Sequence, residues 1–258
     1  MSGLKDKSVL ITGASSGIGA ALAQDLVRRG ARVGLLARRK DRLVELAEEL
    51  REAGGEVAWA VADVTDDYAL AGALSELDSE LGGTDVVVAN AGYGRPDPPH
   101  KFKPGAAIAM YDTNLFGMLR VIDWVLPRFI EAGQGHIVGV ASVASYVGFT
   151  NSAAYCGSKA AMRVHLQSLR VSLANHGIAV TTICPGFVKS ELTDKNKFKM
   201  PFIWETEPAA RLIGDAIERR RGEVVFPWQM RWLKQLLVRW MPVGWLEALL
   251  RRGATAKR

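Results

Sequence analysis

The sequence has 258 residues, of which 48% are hydrophobic and 23% are charged, and this composition excludes a disordered, a collagen-like and a coiled-coil chain. The net charge of +6 lies entirely in residues 228–258, which hold seven basic residues and one acidic residue. Because residues 1–227 are neutral overall, we expect no nucleic-acid partner.

Short apolar runs alternate with longer helix-like stretches along residues 8–226, a pattern typical of βαβ units around a parallel sheet. The predicted strands are residues 8–12, 32–37, 56–61, 85–89, 136–141, 178–184 and 223–226. The predicted helices are residues 18–29, 41–53, 67–81, 104–131, 152–175 and 208–221. Because the strands are mostly apolar throughout, the sequence predicts an α/β, Rossmann-type, doubly wound parallel sheet of about seven strands, with helices on both faces in a three-layer sandwich.

A glycine-rich segment, TGASSGIG at residues 12–19, lies where the first strand should turn into the first helix. Gly13, Gly17 and Gly19 allow the backbone to turn sharply and to approach a pyrophosphate, whose charge would lie at the positive amino end of the helix. This spacing predicts a dinucleotide-binding turn. Taken alone, the three glycines fit a purely structural turn as well.

Tyr155 and Lys159 lie four residues apart in a predicted helix, so their side chains project from one face. A free tyrosine has a pKa of about 10, and a cation held beside it favours the phenolate that acid–base chemistry near neutrality needs. Ser142 follows the strand at residues 136–141, where its hydroxyl is placed to hydrogen-bond a substrate oxygen. A packed tyrosine beside a solvated lysine would give the same spacing without any chemistry.

Several short motifs follow one another in a fixed order along the chain. They are TGASSGIG, Asp63-Val64, Asn90-Ala91-Gly92, Asn114, Ser142, Tyr155-x-x-x-Lys159 and Pro185-Gly186. In order and spacing, the chain resembles the short-chain dehydrogenase/reductases over about residues 5–227. One departure is Ala89, where many members carry a second asparagine before Asn90. We therefore expect one catalytic domain at residues 1–227 and an extension at residues 228–258.

The resemblance implies an enzyme that interconverts a ketone or aldehyde and an alcohol by hydride transfer with a nicotinamide cofactor. It implies that Tyr155 transfers the proton and that Ser142 polarises the substrate oxygen. Lys159 would hold the nicotinamide ribose, while Asn114 would maintain a water-linked proton relay to Lys159. The alternatives are a non-catalytic NADP(H)-binding sensor and a peripheral membrane or interaction protein built on the same fold.

The residues after the second predicted strand indicate which cofactor is bound. NAD-binding members of the family carry an acidic residue at the position of Ala37, whereas here Arg38 and Arg39 follow, and guanidinium groups suit the 2′-phosphate of NADP. We therefore expect NADP(H) to be preferred over NAD(H), unless both arginines are surface charges near Asp41 and Glu45. The expected cofactor-binding residues are Gly13, Ser15, Ser16, Gly17, Ile18, Gly19, Arg38, Arg39, Asp63, Val64, Asn90, Ala91, Gly92, Tyr155, Lys159, Pro185, Gly186 and Val188.

Residues 187–207 correspond to the substrate lid of the family. Apolar side chains dominate this segment, at Phe187, Leu192, Phe198, Met200, Phe202, Ile203 and Trp204. Their number favours an apolar substrate of a long-chain, steroid-like or retinoid-like kind. About half of these residues would instead pack the lid onto its own domain.

Residues 228–252 combine basic residues with four of the seven tryptophans, Trp228, Trp232, Trp240 and Trp245. At 100° per residue, residues 230–241 place their apolar side chains on one half of a helix. Such a helix either lies in a membrane interface or packs against the domain or another subunit. The family resemblance further implies a homodimer or homotetramer built through the helices at 104–131 and 152–175.

Two cysteines and four scattered histidines give neither a disulfide framework nor metal-ligand spacing, so we expect no metal and a cytoplasmic protein. No uncharged apolar run reaches 18 residues, which predicts no membrane span, although peripheral contact at a membrane surface stays open. Asp25 has no motif partner and is expected on a solvated helix face.

Overall fold

The structure is a computed structural model that describes residues 3–194, 200–232 and 241–255. Seven parallel strands form one sheet in the order β3-β2-β1-β4-β5-β6-β7. They are β1 (Ser8–Thr12), β2 (Arg32–Ala37), β3 (Val57–Val61), β4 (Val86–Ala89), β5 (Gly135–Val140), β6 (Ile178–Pro185) and β7 (Glu223–Phe226). The predicted doubly wound α/β fold is confirmed.

Helices connect the strands and cover both faces of the sheet. They are α1 (Gly17–Arg28), α2 (Lys40–Glu52), α3 (Asp67–Glu80), α4 (Pro104–Tyr111), α5 (Gly117–Ala132), α6 (Ala153–Ser172), α7 (Glu191–Asp194) and α8 (Thr206–Glu218). A further helix, α9, is described at residues 228–232, and α10 spans Val243–Thr255. Short 3₁₀ turns occur at Pro99–Lys101, Val143–Ser145 and Ala174–His176.

The core consists of two apolar layers, one on each face of the sheet, and alternate residues of β1 contribute to each. Val9 and Ile11 point into the layer under α1, α2 and α8, whereas Leu10 belongs to the layer under α3, α5 and α6. Because every central strand is covered on both sides, its residues are almost all apolar.

The predicted helix at 104–131 is wrong in one respect, because the structure divides it. Residues Asp112–Phe116 form a π-helical turn, in which the Gly117 amide donates to the Asp112 carbonyl five residues back. The apolar spacing of the segment is compatible with an uninterrupted α-helix, so the extra residue in the turn leaves no periodic signal. Asn114 lies inside this turn, and π turns of this kind often occur at functional sites.

Asp25 corrects a second expectation, because it is buried rather than solvated. Its carboxylate accepts a hydrogen bond from the Arg29 guanidinium at 2.7 Å, and Arg29 also binds Asp215 at 2.8 Å and Glu218 at 2.9 Å. The carboxylate is therefore paired inside the contact between α1 and α8.

The predicted amphipathic helix at residues 230–241 lies mostly outside the described residues, as do Phe198 of the lid and Trp240. Within the described ranges, no helix is both long enough and apolar enough to cross a membrane.

Candidate active site

All the predicted motifs lie at one edge of the sheet, where the strands end. TGASSGIG begins at the last residue of β1, and Arg38, Asp63 and Asn90 follow β2, β3 and β4. Ser142 lies two residues beyond β5, and Pro185 is the last residue of β6. Because β1 and β4 are neighbours that lead to opposite halves of the sheet, their carboxyl ends open a crevice at the switch point.

The glycine-rich turn has a backbone that only glycine adopts without strain. Gly13 has a φ of +68° and Gly17 a φ of +55°, both in the left-handed region. A Cβ on Gly13 would lie 2.8 Å from the Cα of Ala91, so the turn presses directly against the chain that leaves β4. The turn is thus held by close backbone packing.

Asn90 fastens this turn to the end of β4. Its side-chain amide donates to the carbonyls of Thr12 and Gly13 at 3.0 and 3.2 Å. The Thr12 hydroxyl in turn accepts from the backbone N–H groups of Asn90 and Ala91 at 3.2 and 3.1 Å. Asn90 therefore fixes the shape of the turn, and Thr12 is a supporting residue that the sequence analysis missed.

The amino end of α1 offers donors for an anion. Ser16 precedes the helix without a side-chain cap, and the first turn contains no acidic residue. The guanidinium of Arg39 donates to the hydroxyls of Ser15, at 3.2 Å, and Ser16, at 2.6 Å. Helix amides, two hydroxyls and a guanidinium around a turn without side chains fit the phosphates of a dinucleotide.

Arg38 and Arg39 are both exposed between β2 and α2, and both bind acidic residues outside α2. Arg38 binds Asp63 at 3.1 Å, and Arg39 binds Glu191 of α7 at 2.7 Å. Burial raises the pKa of Asp63, but hydrogen bonds from Thr65 and Arg38 outweigh it and lower that pKa below its ordinary value. The guanidinium groups therefore frame the glycine-rich turn, and their partners are neither Asp41 nor Glu45 in the contacts described here.

Two apolar residues of the motifs, Val64 and Ile18, follow Asp63 and Gly17 in the chain. Val64 is buried, and a Cβ on Gly117 would lie 2.7 Å from its Cγ2, so Val64 packs against the start of α5. Ile18 is half-buried against the apolar layer that holds α1. Val64 therefore packs in the layer under α5, and Ile18 packs in the layer under α1.

Lys159 is buried, with 4% of its surface exposed, and its ammonium donates to the Val140 carbonyl at 2.8 Å. Burial lowers the pKa of Lys159 to about 8, because the charged form loses hydration. The lysine is therefore still mostly protonated at neutral pH, but it loses its proton more readily than an exposed lysine.

Tyr155 lies one helical turn before Lys159 on α6. Burial raises the pKa of the phenol, and the Ser142 hydroxyl offsets this only in part. Ser142 is itself fixed, because its Oγ accepts from the Ala144 amide at 3.1 Å. The expectation that Lys159 depresses the pKa of Tyr155 is therefore not met by the side chains of this structure, in which the phenol stays protonated at neutral pH.

Asn114 is fully buried and is held by three hydrogen bonds. Its Oδ1 accepts from the Tyr93 amide at 2.9 Å, and its Nδ2 donates to the Tyr93 carbonyl and the Ser158 hydroxyl, both at 3.0 Å. A Cβ on Gly92 would lie 2.9 Å from Asn114 Oδ1 and 3.2 Å from Lys159 Nζ. The asparagine and the lysine therefore meet across Gly92.

The end of β6 carries the expected lid. Gly186 donates to the Phe226 carbonyl at 2.7 Å, and Val188 is buried and bridges to Trp204. Trp204 packs on Phe226 with ring centroids 5.5 Å apart. Two other apolar side chains of the lid are exposed, Phe202 and Ile203. The described part of the lid is thus divided between packing and open apolar surface.

One structural residue of the site left no signal in the sequence. Asp97, in the loop after β4, accepts hydrogen bonds from the amides of Ala153 and Ala154 at 2.9 and 2.7 Å. Its carboxylate therefore caps α6 directly before Tyr155, whereas the preceding Ser152 makes no side-chain cap. The two partners lie 56 residues apart in the sequence, a separation that no local pattern reveals.

A family profile described as short chain dehydrogenase matches residues 7–200. The chain belongs to the short-chain dehydrogenase/reductase family. It is 44% identical over 230 residues to an uncharacterized oxidoreductase of Myxococcus xanthus, a match that covers 89% of this chain and 91% of the relative.

Solved structures of the short-chain dehydrogenase/reductase fold agree with this assignment. A gluconate 5-dehydrogenase from Burkholderia cenocepacia, in complex with NADP and tartrate, is 26% identical with a TM-score of 0.79, covering 88% of this chain and 96% of that one. An actinorhodin polyketide ketoreductase with NADPH is 28% identical with a TM-score of 0.76, covering 82% and 90%. This chain is therefore an oxidoreductase by family.

Proposed function

We propose that this chain is an NADP(H)-dependent oxidoreductase that interconverts a ketone or aldehyde and an alcohol. The observation that carries the proposal is the convergence of Ser142, Tyr155, Lys159 and Asn114 beside a glycine-rich turn that fits a dinucleotide. When bound, the nicotinamide would supply or accept the hydride.

In the reductive direction, Tyr155 would donate its phenolic proton to the carbonyl oxygen while Ser142 donates a hydrogen bond to the same oxygen. Burial keeps the phenol protonated near neutral pH, which suits donation. Lys159, with a pKa of about 8, would return a proton toward Tyr155, and Asn114 beside it would orient the relay. This favours carbonyl reduction as the working direction.

The preference for NADP(H) rests on Arg38 and Arg39. Both guanidinium groups lie at the end of β2, and Arg39 already binds Ser15 and Ser16 of the glycine-rich turn. A 2′-phosphate would give these arginines a dianionic partner that NAD(H) lacks. We expect Arg39→Ala to weaken NADPH binding at least tenfold and NADH binding little, as measured by quenching of cofactor fluorescence.

The control is Arg28→Ala, which removes an exposed guanidinium at the far end of α1. Equal losses of NADPH and NADH affinity in Arg39→Ala would contradict the proposed preference. A tight NADPH complex that turns over no carbonyl compound would favour the non-catalytic sensor.

The exposed Phe202 and Ile203 of the lid support an apolar substrate. Turnover should be measured with ketones and aldehydes of rising chain length and ring number. We expect kcat/KM to rise with the apolar surface of the substrate. Phe202→Ser should reduce this increase and leave kcat/KM for small ketones unchanged. A flat series would contradict the apolar substrate class.

We further propose a homodimer or homotetramer formed through α4, α5 and α6. Exposed apolar side chains support this surface, among them Phe116 next to α5 and Val164 and Val171 on α6. Val164→Asp with Val171→Asp should lower the molar mass measured by light scattering. An unchanged mass would exclude these helices as the interface.

The two free, buried cysteines support a reducing, cytoplasmic setting.

A further inference from the structure

Three tryptophans near the carboxyl end of the chain are largely exposed. Trp228, Trp232 and Trp245 have exposed fractions of 65%, 69% and 74%. We call these three side chains the tryptophan surface. A tryptophan contributes a large apolar area when it is covered, so three open ones within 18 residues of sequence mark a segment that fits a partner.

The tryptophans elsewhere in the described chain behave differently. Trp59, Trp124 and Trp204 are half-buried, and each has a place in the domain. Trp124 donates to the Ser75 hydroxyl at 3.1 Å, and Trp204 packs on Phe226. Among the described tryptophans, those after β7 are therefore largely exposed, whereas those within the domain are half-buried.

The domain itself does not cover Trp228 and Trp232. Met230 is the buried residue of α9, and a Cβ on Gly186 would lie 3.4 Å from its Cγ. Trp228 and Trp232 are each two residues from Met230, which places them about 200° around a helix from it. Because α9 contacts the domain through Met230, the two tryptophans face away from it.

The charge of this segment distinguishes between two possible partners, a second copy of this chain and a lipid surface. Arg231 is exposed next to Trp232 in the chain, Arg251 is exposed on α10, where it binds Glu247 at 3.4 Å, and residues 228–258 carry all of the net charge of +6. A symmetric contact between two copies would place these like charges opposite each other. An anionic lipid surface complements them, and exposed tryptophans with arginines are typical of segments that lie in the membrane interface.

We propose that the tryptophan surface binds anionic lipid bilayers, with the indole rings in the interface and the basic side chains on the headgroups. This contact is peripheral, and it does not depend on the proposed reaction. Binding to anionic lipid would account for both the excess positive charge and the three exposed tryptophans.

The test is flotation of the full-length protein with vesicles of phosphatidylcholine alone or with about one third phosphatidylglycerol. We expect binding to the anionic vesicles that weakens at high salt, because screening shortens the reach of the charges. Each basic side chain near such a surface contributes about fivefold, so Arg231→Ala with Arg251→Ala should weaken binding roughly 25-fold.

Replacing Trp228, Trp232 and Trp245 by alanine should abolish flotation and remove the blue shift of tryptophan fluorescence that vesicles cause. The matched control is Tyr68→Ala on α3, which removes a large side chain that is 93% exposed on another face. Tyr68→Ala should float as the wild type does. All these positions are exposed, so an unchanged Tm shows that the variants are folded.

Three results would overturn the proposal. The first is wild-type flotation of the triple alanine variant, and the second is equal binding of the wild type to neutral and anionic vesicles. The third is a fall in molar mass in the triple variant without any effect of vesicles, which would make a second copy of this chain the partner.

Discussion

Gly92 packs against both Lys159 and Asn114, the lysine and asparagine of the proposed proton relay, so adding one methyl group there tests the geometry of the site. In Gly92→Ala, the new Cβ would lie 2.9 Å from Asn114 Oδ1 and 3.2 Å from Lys159 Nζ. Both distances are shorter than ordinary van der Waals contact, so at least one partner must move by about half an ångström.

Neither partner can move freely. Asn114 is fully buried and makes three hydrogen bonds, and Lys159 is anchored on the Val140 carbonyl at 2.8 Å. Overpacking of a rigid site costs about 1–3 kcal/mol, which for a chain of this size lowers the Tm by about 2–6 °C. A misplacement of about 1 Å can reduce kcat by roughly 100-fold, so a displacement of about half that size should reduce kcat by roughly tenfold.

Thermal unfolding and steady-state turnover measure the two effects. The control is Gly72→Ala in the interior of α3, where an added Cβ meets nothing within 4 Å. That variant should gain about 0.5–1 kcal/mol of stability and keep its activity. If Gly92→Ala retained both the wild-type Tm and the wild-type kcat, the close packing of Asn114 and Lys159 around Gly92 would be refuted.

Three further predictions concern other charged groups. Arg29→Met removes the guanidinium that binds the buried Asp25 at 2.7 Å and leaves Arg28 at 3.8 Å, so chemical denaturation should show a loss of about 3 kcal/mol, and an unchanged midpoint would contradict the pairing. Burial lowers the pKa of His136 from 6.5 to about 4, so its contribution to stability is complete above pH 6.5 and is lost as the pH falls toward 4. His136→Gln should therefore flatten the fall in Tm between pH 6.5 and 4, and equal slopes in both proteins would refute this. Glu191 binds Arg39, so Glu191→Gln should tighten NADPH binding about three- to fivefold and leave NADH binding unchanged, whereas weaker NADPH binding would show that the carboxylate does not compete.

The strands were the most predictable part of the fold, because doubly covered parallel strands leave an apolar run in the sequence. β1, β2 and β7 have the predicted bounds, and the other four differ by one residue at one or both ends. The π turn around Asn114 was missed because it inserts one residue into a segment whose apolar spacing still fits an α-helix.

The motifs along the chain were predictable, but their partners were not. The position of Tyr155 on its helix follows from its spacing to Lys159. The amino end of that helix, α6, is capped by Asp97, a contact that only the folded chain creates. The direction of the Tyr155 pKa shift likewise depends on burial, which cannot be read from residue spacing. Asp25 was wrongly placed on a solvated face because its partner Arg29 is held in the helix contact by Asp215 and Glu218, which belong to a helix distant in the sequence.

The central claim is that Tyr155 transfers the proton in a reaction with bound NADPH. The most direct test compares Tyr155→Phe with the wild type for NADPH affinity and for NADPH oxidation by the best ketone of the panel. We predict an unchanged dissociation constant for NADPH and a fall in turnover of at least 100-fold, because only the hydroxyl is removed. Wild-type turnover by Tyr155→Phe would contradict the proposed mechanism.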